Sequence, residues 1–248
     1  MTWCRHPRQL PSSVSDPYSL HPSVPRPTGT TGSEPTGSRR IALTSSPTST
    51  LLSAMASLSP TTLTTDEQRV ILRATAGNVR DHTIVSLALG TGLRLAEIVG
   101  LDAGDVFALD GTPRVRVRVR ATIAKGGRAA DVFLPDRLVA KLRKFLRWKR
   151  KCGEDLSPDA ALFCNQSGRR VSKRRVQFAW ATWQRRAGFD RVYGFHCLRH
   201  SAISSVYRMT HDLYLAQRFA RHVSPLTTTV YTHPCDDEMA SRVRNLSC

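Results

Sequence analysis

Residues 114–120 alternate strictly between arginine and valine, and this stretch constrains the fold more than any other part of the chain. The alternation predicts a β-strand with one arginine face and one valine face, because successive side chains of a strand point to opposite sides. Lys125-Gly126-Gly127 predicts a turn, and residues 131–134 predict a returning strand. Residues 114–134 are therefore expected to form a β-hairpin that ends at Pro135.

Helical periodicity dominates the remainder of the chain after residue 60. Apolar residues recur at spacings of three and four, and Thr64 or Thr65 is expected to be the first N-cap, as Ser172 is for a later helix. Seven helices are predicted. The first begins after Thr64 or Thr65, the second covers about 81–89, and the third contains residues 93–99. The others lie along 138–150, from Ser172 through 187, and at about 197–208 and 212–220. The expected fold class is α+β, mostly α-helical, with one small sheet.

Residues 1–60 differ in composition from the rest of the chain. They are rich in Ser, Pro, Thr and Gly, and they contain too few apolar residues to offset the entropy of ordering, so a disordered segment is expected. A transit peptide and a translation start at Met55 are the alternatives. The expected organisation is a disordered segment 1–60, a folded domain 61–235 and a short C-terminal tail 236–248.

The chain is strongly basic. Its 37 Lys and Arg residues outnumber 19 Asp and Glu residues, which gives a net charge of +18. Such a charge favours a polyanionic partner. The six cysteines show neither a C-x-x-C pair nor ligand-like spacing, which indicates reduced thiols in a cytoplasmic protein rather than a metal site. No apolar run approaches the roughly 20 residues needed to cross a membrane.

Arginines, histidines and a tyrosine follow one another in an order that suggests phosphodiester chemistry. Arg94 precedes the pair His196 and Arg199 by about a hundred residues, and His222 and Tyr231 follow. Guanidiniums bind a phosphate bidentately, imidazoles move protons, and a tyrosine hydroxyl can attack phosphorus. Each residue alone is more often structural, so the order and spacing of the set carry the inference.

The motifs around these residues resemble those of the tyrosine recombinases, also called phage-type integrases. Residues 91–97 (Thr-Gly-Leu-Arg-Leu-Ala-Glu) are similar to the first arginine motif of that family, and residues 196–199 are similar to its H-x-x-R motif. His222 stands nine residues before Tyr231, which is the family spacing, and Lys125 matches a lysine that the family places in a β-hairpin. The resemblance covers about residues 61–240 and implies the catalytic-domain fold of the family.

The resemblance also implies residue roles. The implied catalytic residues are Arg94, Lys125, His196, Arg199, His222 and Tyr231, supported by Glu97. The tyrosine would form a 3′-phosphotyrosyl link while the lysine protonates the leaving 5′ oxygen. The arginines would clamp the phosphate, His196 would assist proton movement at the tyrosine, and His222 would hydrogen-bond the phosphate. The resemblance implies that no metal, ATP or other cofactor is needed.

Double-stranded DNA is the implied partner. The basic helix that starts at Ser172 is the expected DNA-contacting element, through Lys173, Arg174, Arg175 and Arg185. The arginine face of 114–120 is either a second DNA contact or a solvated edge that blocks aggregation. A tetramer on DNA and a monomer in its absence are expected.

Two departures from the family pattern leave the function open at this point. Arg221 occupies a position that is usually glycine, and residues 1–60 cannot supply the N-terminal core-binding domain that closes around DNA in the family. A partner would then supply that domain, or the catalytic domain acts alone. The expected function is a site-specific recombinase or integrase, with a DNA-binding pseudoenzyme or an inactive integrase fragment as the alternative, followed by a type IB topoisomerase.

Overall fold

The computed structural model describes residues 61–231 and 243–244. The predicted segment 1–60 and most of the tail 236–248 lie outside the described residues. The elements in chain order are α1 (Thr65–Thr75), α2 (Val79–Thr91), α3 (Leu95–Gly100), α4 (Ala103–Val106), β1 (Arg116–Val119), β2 (Ala130–Phe133), α5 (Asp136–Lys151), α6 (Lys173–Arg186), α7 (Cys197–Thr210), α8 (Leu213–Ala220) and α9 (Leu226–Thr229). The predicted α+β class with a small sheet is confirmed.

Side-chain caps fix where several helices begin. Thr64 accepts a hydrogen bond from the backbone N–H of Glu67 at 3.2 Å, and the Glu67 carboxylate accepts the N–H of Thr64 at 2.7 Å. This reciprocal arrangement satisfies two donors that the first turn of α1 would otherwise leave unpaired. Ser172 caps α6 in the predicted way, by accepting the N–H of Arg175. Asn78 caps α2, which is why that helix starts two residues before the predicted boundary.

Helix α2 forms the centre of the fold. Nine of its thirteen residues are buried, including the polar Thr83 and Ser86, because α1, α3, α5 and α7 all pack against it. A helix that is covered on every side lacks the one-sided stripe of a surface helix. The position of α2 matters for the site because its last turn leads directly into the segment that carries Arg94.

The hairpin is a two-stranded antiparallel sheet in which Val117 is opposite Val132. Val117 and Val119, on the predicted valine face, are buried, whereas Val115 is 60% exposed because the ladder starts only at Arg116. Two of the four arginines in 114–120 pair with carboxylates: Arg116 with Asp131 across the strands, and Arg120 with Asp102 and Asp105. The sheet therefore packs Val117 and Val119 on the core, while Arg114 and Arg118 stay exposed without an ion-pair partner among the described residues.

Buried apolar residues form two clusters within the described ranges. The larger cluster joins α1 to α7 and includes the hairpin valines. The smaller cluster consists of Ile203, Ala216, Ala220 and Tyr231, contributed by α7, α8 and the segment after α9. No helix in the described part of the chain is long and apolar enough to cross a membrane.

Candidate active site

Arg94 is held at the start of α3 by the carboxylate of Glu97. Helix α2 ends at Gly92 in the left-handed region (φ 61°), which redirects the chain so that Arg94 becomes the N-cap of α3. Glu97 accepts the backbone N–H of Arg94 at 2.8 Å and its Nη1 at 3.2 Å. The Arg94 side chain is 25% exposed and that of Glu97 only 3%, so the guanidinium faces outward from a buried anchor.

Arg199 joins three segments of the chain from the first turn of α7. Its Nη1 donates to the carbonyl of Gly92 and its Nη2 to the carbonyl of Ala220, and the residue is 2% exposed. Burial, together with the positive charges of Arg94 and Arg221, lowers the pKa of Arg199 to about 10. The guanidinium thus remains protonated near neutral pH, in a place where a buried cation favours an anionic ligand.

The third part of the site is the segment that runs from the end of α8 through α9 to Tyr231. His222 follows directly after the end of α8, and its Nδ1 lies 2.9 Å from Oγ1 of Thr228. The backbone N–H of Tyr231 donates to the carbonyl of the same threonine at 3.0 Å. The rings of His222 and Tyr231 are nearly parallel, with centroids 6.3 Å apart. The sequence-predicted histidine and tyrosine are therefore neighbours in space.

The hydroxyl of Tyr231 lies 2.5 Å from Nδ1 of His200. His200 in turn meets the ring of His196 edge-on at 4.6 Å between centroids. Burial and the neighbouring His196 and Arg199 lower the pKa of His200 to about 4, so its imidazole is neutral near pH 7 and can accept the tyrosine proton. A chain of two imidazoles thus ends at the tyrosine oxygen.

The same positive field acts on the other titratable groups of the site. Burial lowers the pKa of His222 to about 4, assisted by Arg199 and Arg94, and burial with the same two arginines lowers the pKa of His196. Burial raises the pKa of Tyr231, while Arg199 and Arg94 act in the opposite direction and favour the phenolate. Two guanidiniums therefore stabilise negative charge at the tyrosine oxygen.

Arg221 occupies an unusual position for its residue type. Its backbone is left-handed (φ 57°), a conformation that costs a residue with a Cβ roughly 1–2 kcal/mol. The side chain is 11% exposed, and its Nη2 donates to Oε2 of Glu97 at 2.8 Å. Its Nε–H is buried and has no hydrogen-bond partner among the described residues.

Lys125 lies in the turn between β1 and β2, and it is exposed. Its charge contributes to the lowered pKa of His196, after the effects of burial, Arg199 and Arg94. No hydrogen bond or ion pair joins it to the other candidate residues in the described part of the chain. The structure therefore brings five of the six predicted catalytic residues and Glu97 into one cluster and places the lysine at its edge.

The four predicted DNA contacts on α6 are all exposed. They are Lys173, Arg174, Arg175 and Arg185. The guanidinium of Arg175 lies over the ring of Phe178, which is 61% exposed. In the hairpin, Arg116 and Arg120 are paired with carboxylates. Arg114 and Arg118 are exposed and form no ion pair with the described residues, so both surfaces present available cations.

Sequence reasoning missed two residues of this site, His200 and Arg221. His200 immediately follows the H-x-x-R motif, and it stands four residues after His196, a spacing that places both rings on one face of α7. In the sequence, the only signal at Arg221 is that the family usually has glycine at this position. Neither the Tyr231 contact of the first nor the Glu97 contact of the second is encoded by local spacing, since 31 and 124 residues separate the partners.

A cleft of about 380 Å³ opens beside the two imidazoles of α7. Its lining residues are Thr61, Arg191, Val192, Tyr193, Gly194, His196, Cys197 and His200. Burial and the negative charge of Glu67 raise the pKa of Cys197 to about 12, so this thiol is not a nucleophile near neutral pH. Among the described residues, no group of three His, Cys, Asp or Glu side chains is arranged to hold a metal ion.

Comparison with known proteins identifies relatives of the chain. Tyrosine recombinase XerC of Vibrio cholerae serotype O1 is 31% identical over 177 residues, which is 70% of this chain and 54% of the relative. XerC of Neisseria meningitidis serogroup B is 32% identical over 162 residues, covering 65% of this chain and 50% of the relative. The chain therefore spans about half the length of the curated relatives it matches.

Solved structures show the same likeness. The crystal structure of XerA recombinase has a TM-score of 0.65 at 26% identity, covering 77% of this chain and 67% of that one. XerH recombinase bound to its difH substrate has a TM-score of 0.59 at 24% identity, covering 75% of this chain and 54% of that one, which is a likeness of fold. The family model described as the phage integrase family matches residues 61–238. This chain belongs to the phage integrase, or tyrosine recombinase, family.

Proposed function

We propose that the chain is a site-specific DNA recombinase or integrase, which cleaves and rejoins double-stranded DNA through a 3′-phosphotyrosyl intermediate. The observation that carries the proposal is the contact between the Tyr231 hydroxyl and His200, 2.5 Å long, within the field of Arg94 and Arg199. A nucleophile in contact with a proton acceptor is the arrangement that covalent catalysis requires.

The proposed reaction exchanges one phosphate ester for another. The oxygen of Tyr231 forms a bond to phosphorus, its proton passes to Nδ1 of His200, and the bond from phosphorus to the 5′ oxygen breaks. Lys125 supplies a proton to that leaving oxygen from the hairpin turn, where its exposed side chain is free to approach DNA. The ester keeps the bond energy, so that reversal of the step rejoins a strand without ATP or another cofactor.

In the proposed mechanism, the two arginines stabilise the negative charge of the phosphate, and the other two histidines support the proton transfer and the binding of the phosphate. Arg94 and Arg199 bind the non-bridging oxygens and stabilise the additional charge of the transition state. Burial is the main cause of the lowered pKa of His200, and the positive charges of His196 and Arg199 add to it. A bound phosphate would oppose the contribution of these charges and so favour transfer of the tyrosine proton to His200. His196 supports this proton transfer through its edge contact, and His222 hydrogen-bonds the phosphate.

The proposed partner is double-stranded DNA, held in part by the exposed cations of α6. Strand exchange requires two cleaved duplexes, so a tetramer on DNA and a monomer in its absence form part of the proposal. A partner that supplies a core-binding domain, and action in the cytoplasm, also remain proposals from the sequence.

Covalent trapping tests the function. The full chain is incubated with a pool of nicked duplexes of random sequence, in which the short 5′-hydroxyl fragment diffuses away after cleavage and leaves the enzyme attached. We expect an adduct on denaturing gels that is lost in Tyr231→Phe and kept in Tyr214→Phe, a control at a 73% exposed tyrosine of α8. Both variants should bind DNA as the unmodified chain does.

The other outcomes identify the alternatives. Salt-sensitive DNA binding without an adduct would indicate a DNA-binding pseudoenzyme or an inactive fragment. Relaxation of a plain supercoiled plasmid regardless of its sequence would indicate a type IB topoisomerase. An adduct that persists in Tyr231→Phe would show that another residue attacks.

A further inference from the structure

Arg221 is buried at a place where its residue type is unfavourable, and this points to a role beyond packing. A left-handed residue that ends a helix is usually glycine. Here an arginine is placed at φ 57° and its side chain is 11% exposed. Its nearest counter-charge, Glu97, is 124 residues away in sequence, in the helix that begins at Arg94. The turn before His222 and the anchor of Arg94 are thereby joined.

The carboxylate of Glu97 is shared between the two arginines unequally. Its Oε2 accepts both Nη2 of Arg221 and the backbone N–H of Arg94, each at 2.8 Å. Its Oε1 accepts Nη1 of Arg94 at the longer distance of 3.2 Å. Although burial acts to raise it, the pKa of Glu97 is lowered, and the charge of Arg221 contributes more to this than that of Arg94. Arg221 is therefore the main counter-ion of Glu97.

The pairing of Glu97 with Arg221 affects the net charge of the cluster. Arg94, Arg199 and Arg221 carry three positive charges, and Glu97 carries one negative charge, so the net charge is +2. A phosphodiester under attack by a tyrosine oxygen develops two negative charges. Without Arg221 the net charge of the cluster would be +1, and the carboxylate that orients Arg94 would also neutralise it.

We propose that Arg221 is a positioning residue that neutralises Glu97, so that this carboxylate orients Arg94 without cancelling the charge that Arg94 offers to a phosphate. The inference rests on the proposed function for its biological meaning, but it concerns the affinity of the cluster for a phosphate group. It can therefore be measured with inorganic phosphate as well as with DNA.

The test uses the full chain with the substitutions Arg221→Gly, Arg221→Lys and the double substitution Glu97→Gln/Arg221→Gly. Glycine fits the left-handed backbone, so the first variant should fold, and thermal unfolding verifies this for each variant. Arg218→Gln is the matched control, since it removes an exposed charge from the same end of α8. Binding of inorganic phosphate is measured by calorimetry, and the rate of covalent adduct formation is measured at saturating DNA.

We expect Arg221→Gly to weaken phosphate binding and slow adduct formation by about tenfold or more, while DNA affinity changes by less than about threefold. Arg221→Lys should retain most of both activities. The double substitution restores the net charge of +2, so it should bind phosphate more tightly and react faster than Arg221→Gly alone.

Two results would overturn the inference. One is an Arg221→Gly variant with unchanged phosphate affinity; the other is a double variant no better than Arg221→Gly, which would mean that Arg221 contacts phosphate directly. If the unmodified chain forms no adduct but its variants follow the predicted order of phosphate affinity, the proposed function fails and the role of Arg221 stands.

Discussion

Arg199 donates a hydrogen bond through Nη1 to the carbonyl oxygen of Gly92, 107 residues earlier in the chain. Through this contact the buried guanidinium fixes the last turn of α2, from which the chain proceeds to Arg94. The two cations that are proposed to bind one phosphate are thus placed relative to each other by a backbone carbonyl. The distance between them therefore depends on the backbone of Gly92, not on any side chain.

Substitution of Gly92 tests this dependence. Gly92→Ala should lower the free energy of unfolding by roughly 1–2 kcal/mol for the left-handed backbone and further because its Cβ would stand 3.0 Å from Phe219. Gly188→Ala is the control, since Gly188 has φ 77° and no atom within 4 Å of an added Cβ. Urea denaturation measures both. Equal losses at the two positions would mean that the Phe219 contact has no energetic effect.

Removal of Arg199 should destabilise the fold as well as the reaction. Arg199→Ala leaves two buried carbonyls, those of Gly92 and Ala220, without their donors, and each unpaired group costs about 1–3 kcal/mol. We expect a total loss of about 2–6 kcal/mol in chemical denaturation. Arg185→Ala on exposed α6 should change the stability by less than about 0.5 kcal/mol. A similar small change at Arg199 would contradict the anchoring role.

Stability should fall on mild acidification because of the site histidines. The pKa values of His200 and His222 are lowered to about 4 in the fold, whereas an unfolded histidine titrates near 6.5. The unfolded chain therefore binds more protons between about pH 6.5 and 4. The stability that these groups contribute is present above pH 6.5 and is lost as the pH falls through this window.

The histidine effect can be separated from that of the carboxylates. The pKa of Glu97 is lowered, so its contribution disappears mainly below the ordinary range of a carboxyl group. His200→Asn and His222→Asn should each flatten the dependence of the free energy of unfolding on pH above about pH 4.5. Denaturation curves at several pH values between 4.5 and 7.5 provide the measurement, and an unchanged slope in both variants would refute the assignment.

The cations of α6 should determine the salt dependence of DNA binding. Arg174→Gln and Arg185→Gln each remove an exposed charge and should reduce the slope of log affinity against log salt by about 1 if each contacts one phosphate. Arg116→Gln should leave the slope nearly unchanged, because Asp131 already compensates Arg116. Fluorescence anisotropy with duplex DNA at several salt concentrations measures these slopes. A larger effect at Arg116 would assign the contact to the hairpin.

Local patterns were sufficient to predict most elements of this fold. The cap Ser172, and Thr64 as one of two candidate caps, are predictable because the capping hydrogen bond joins residues only three apart in sequence. The hairpin followed from the alternation of charge and apolar character, but the exposure of Val115 did not, since it depends on where the partner strand ends. Short α4 and α9 were missed because four residues are too few to display a helical period.

The site was predictable as a set of residues but not as a geometry. Family motifs indicated Arg94, Arg199 and Tyr231, and the structure places all three around one point. The hydrogen-bond partner of the tyrosine was not predictable, because the sequence does not determine which of two histidines on α7 faces the turn after α9. The pairing of Arg221 with Glu97 likewise depends on where the end of α8 lies relative to α3, which no local pattern encodes.

Because the apolar interior is divided into a large and a small cluster, we expect the segment that carries Tyr231 to open and close independently of the rest of the fold. Tyr231 belongs to the small cluster, together with Ile203, Ala216 and Ala220, whereas α2 lies in the large one. Few buried apolar contacts mean a low free energy of local opening. We therefore expect the segment after α8 to open locally while the rest of the fold stays intact, so that amide hydrogens in residues 222–231 should exchange faster than those of α2. If Tyr231 is the nucleophile, as proposed, the fraction of molecules with this tyrosine in place would depend on the stability of the small cluster rather than on that of the whole fold.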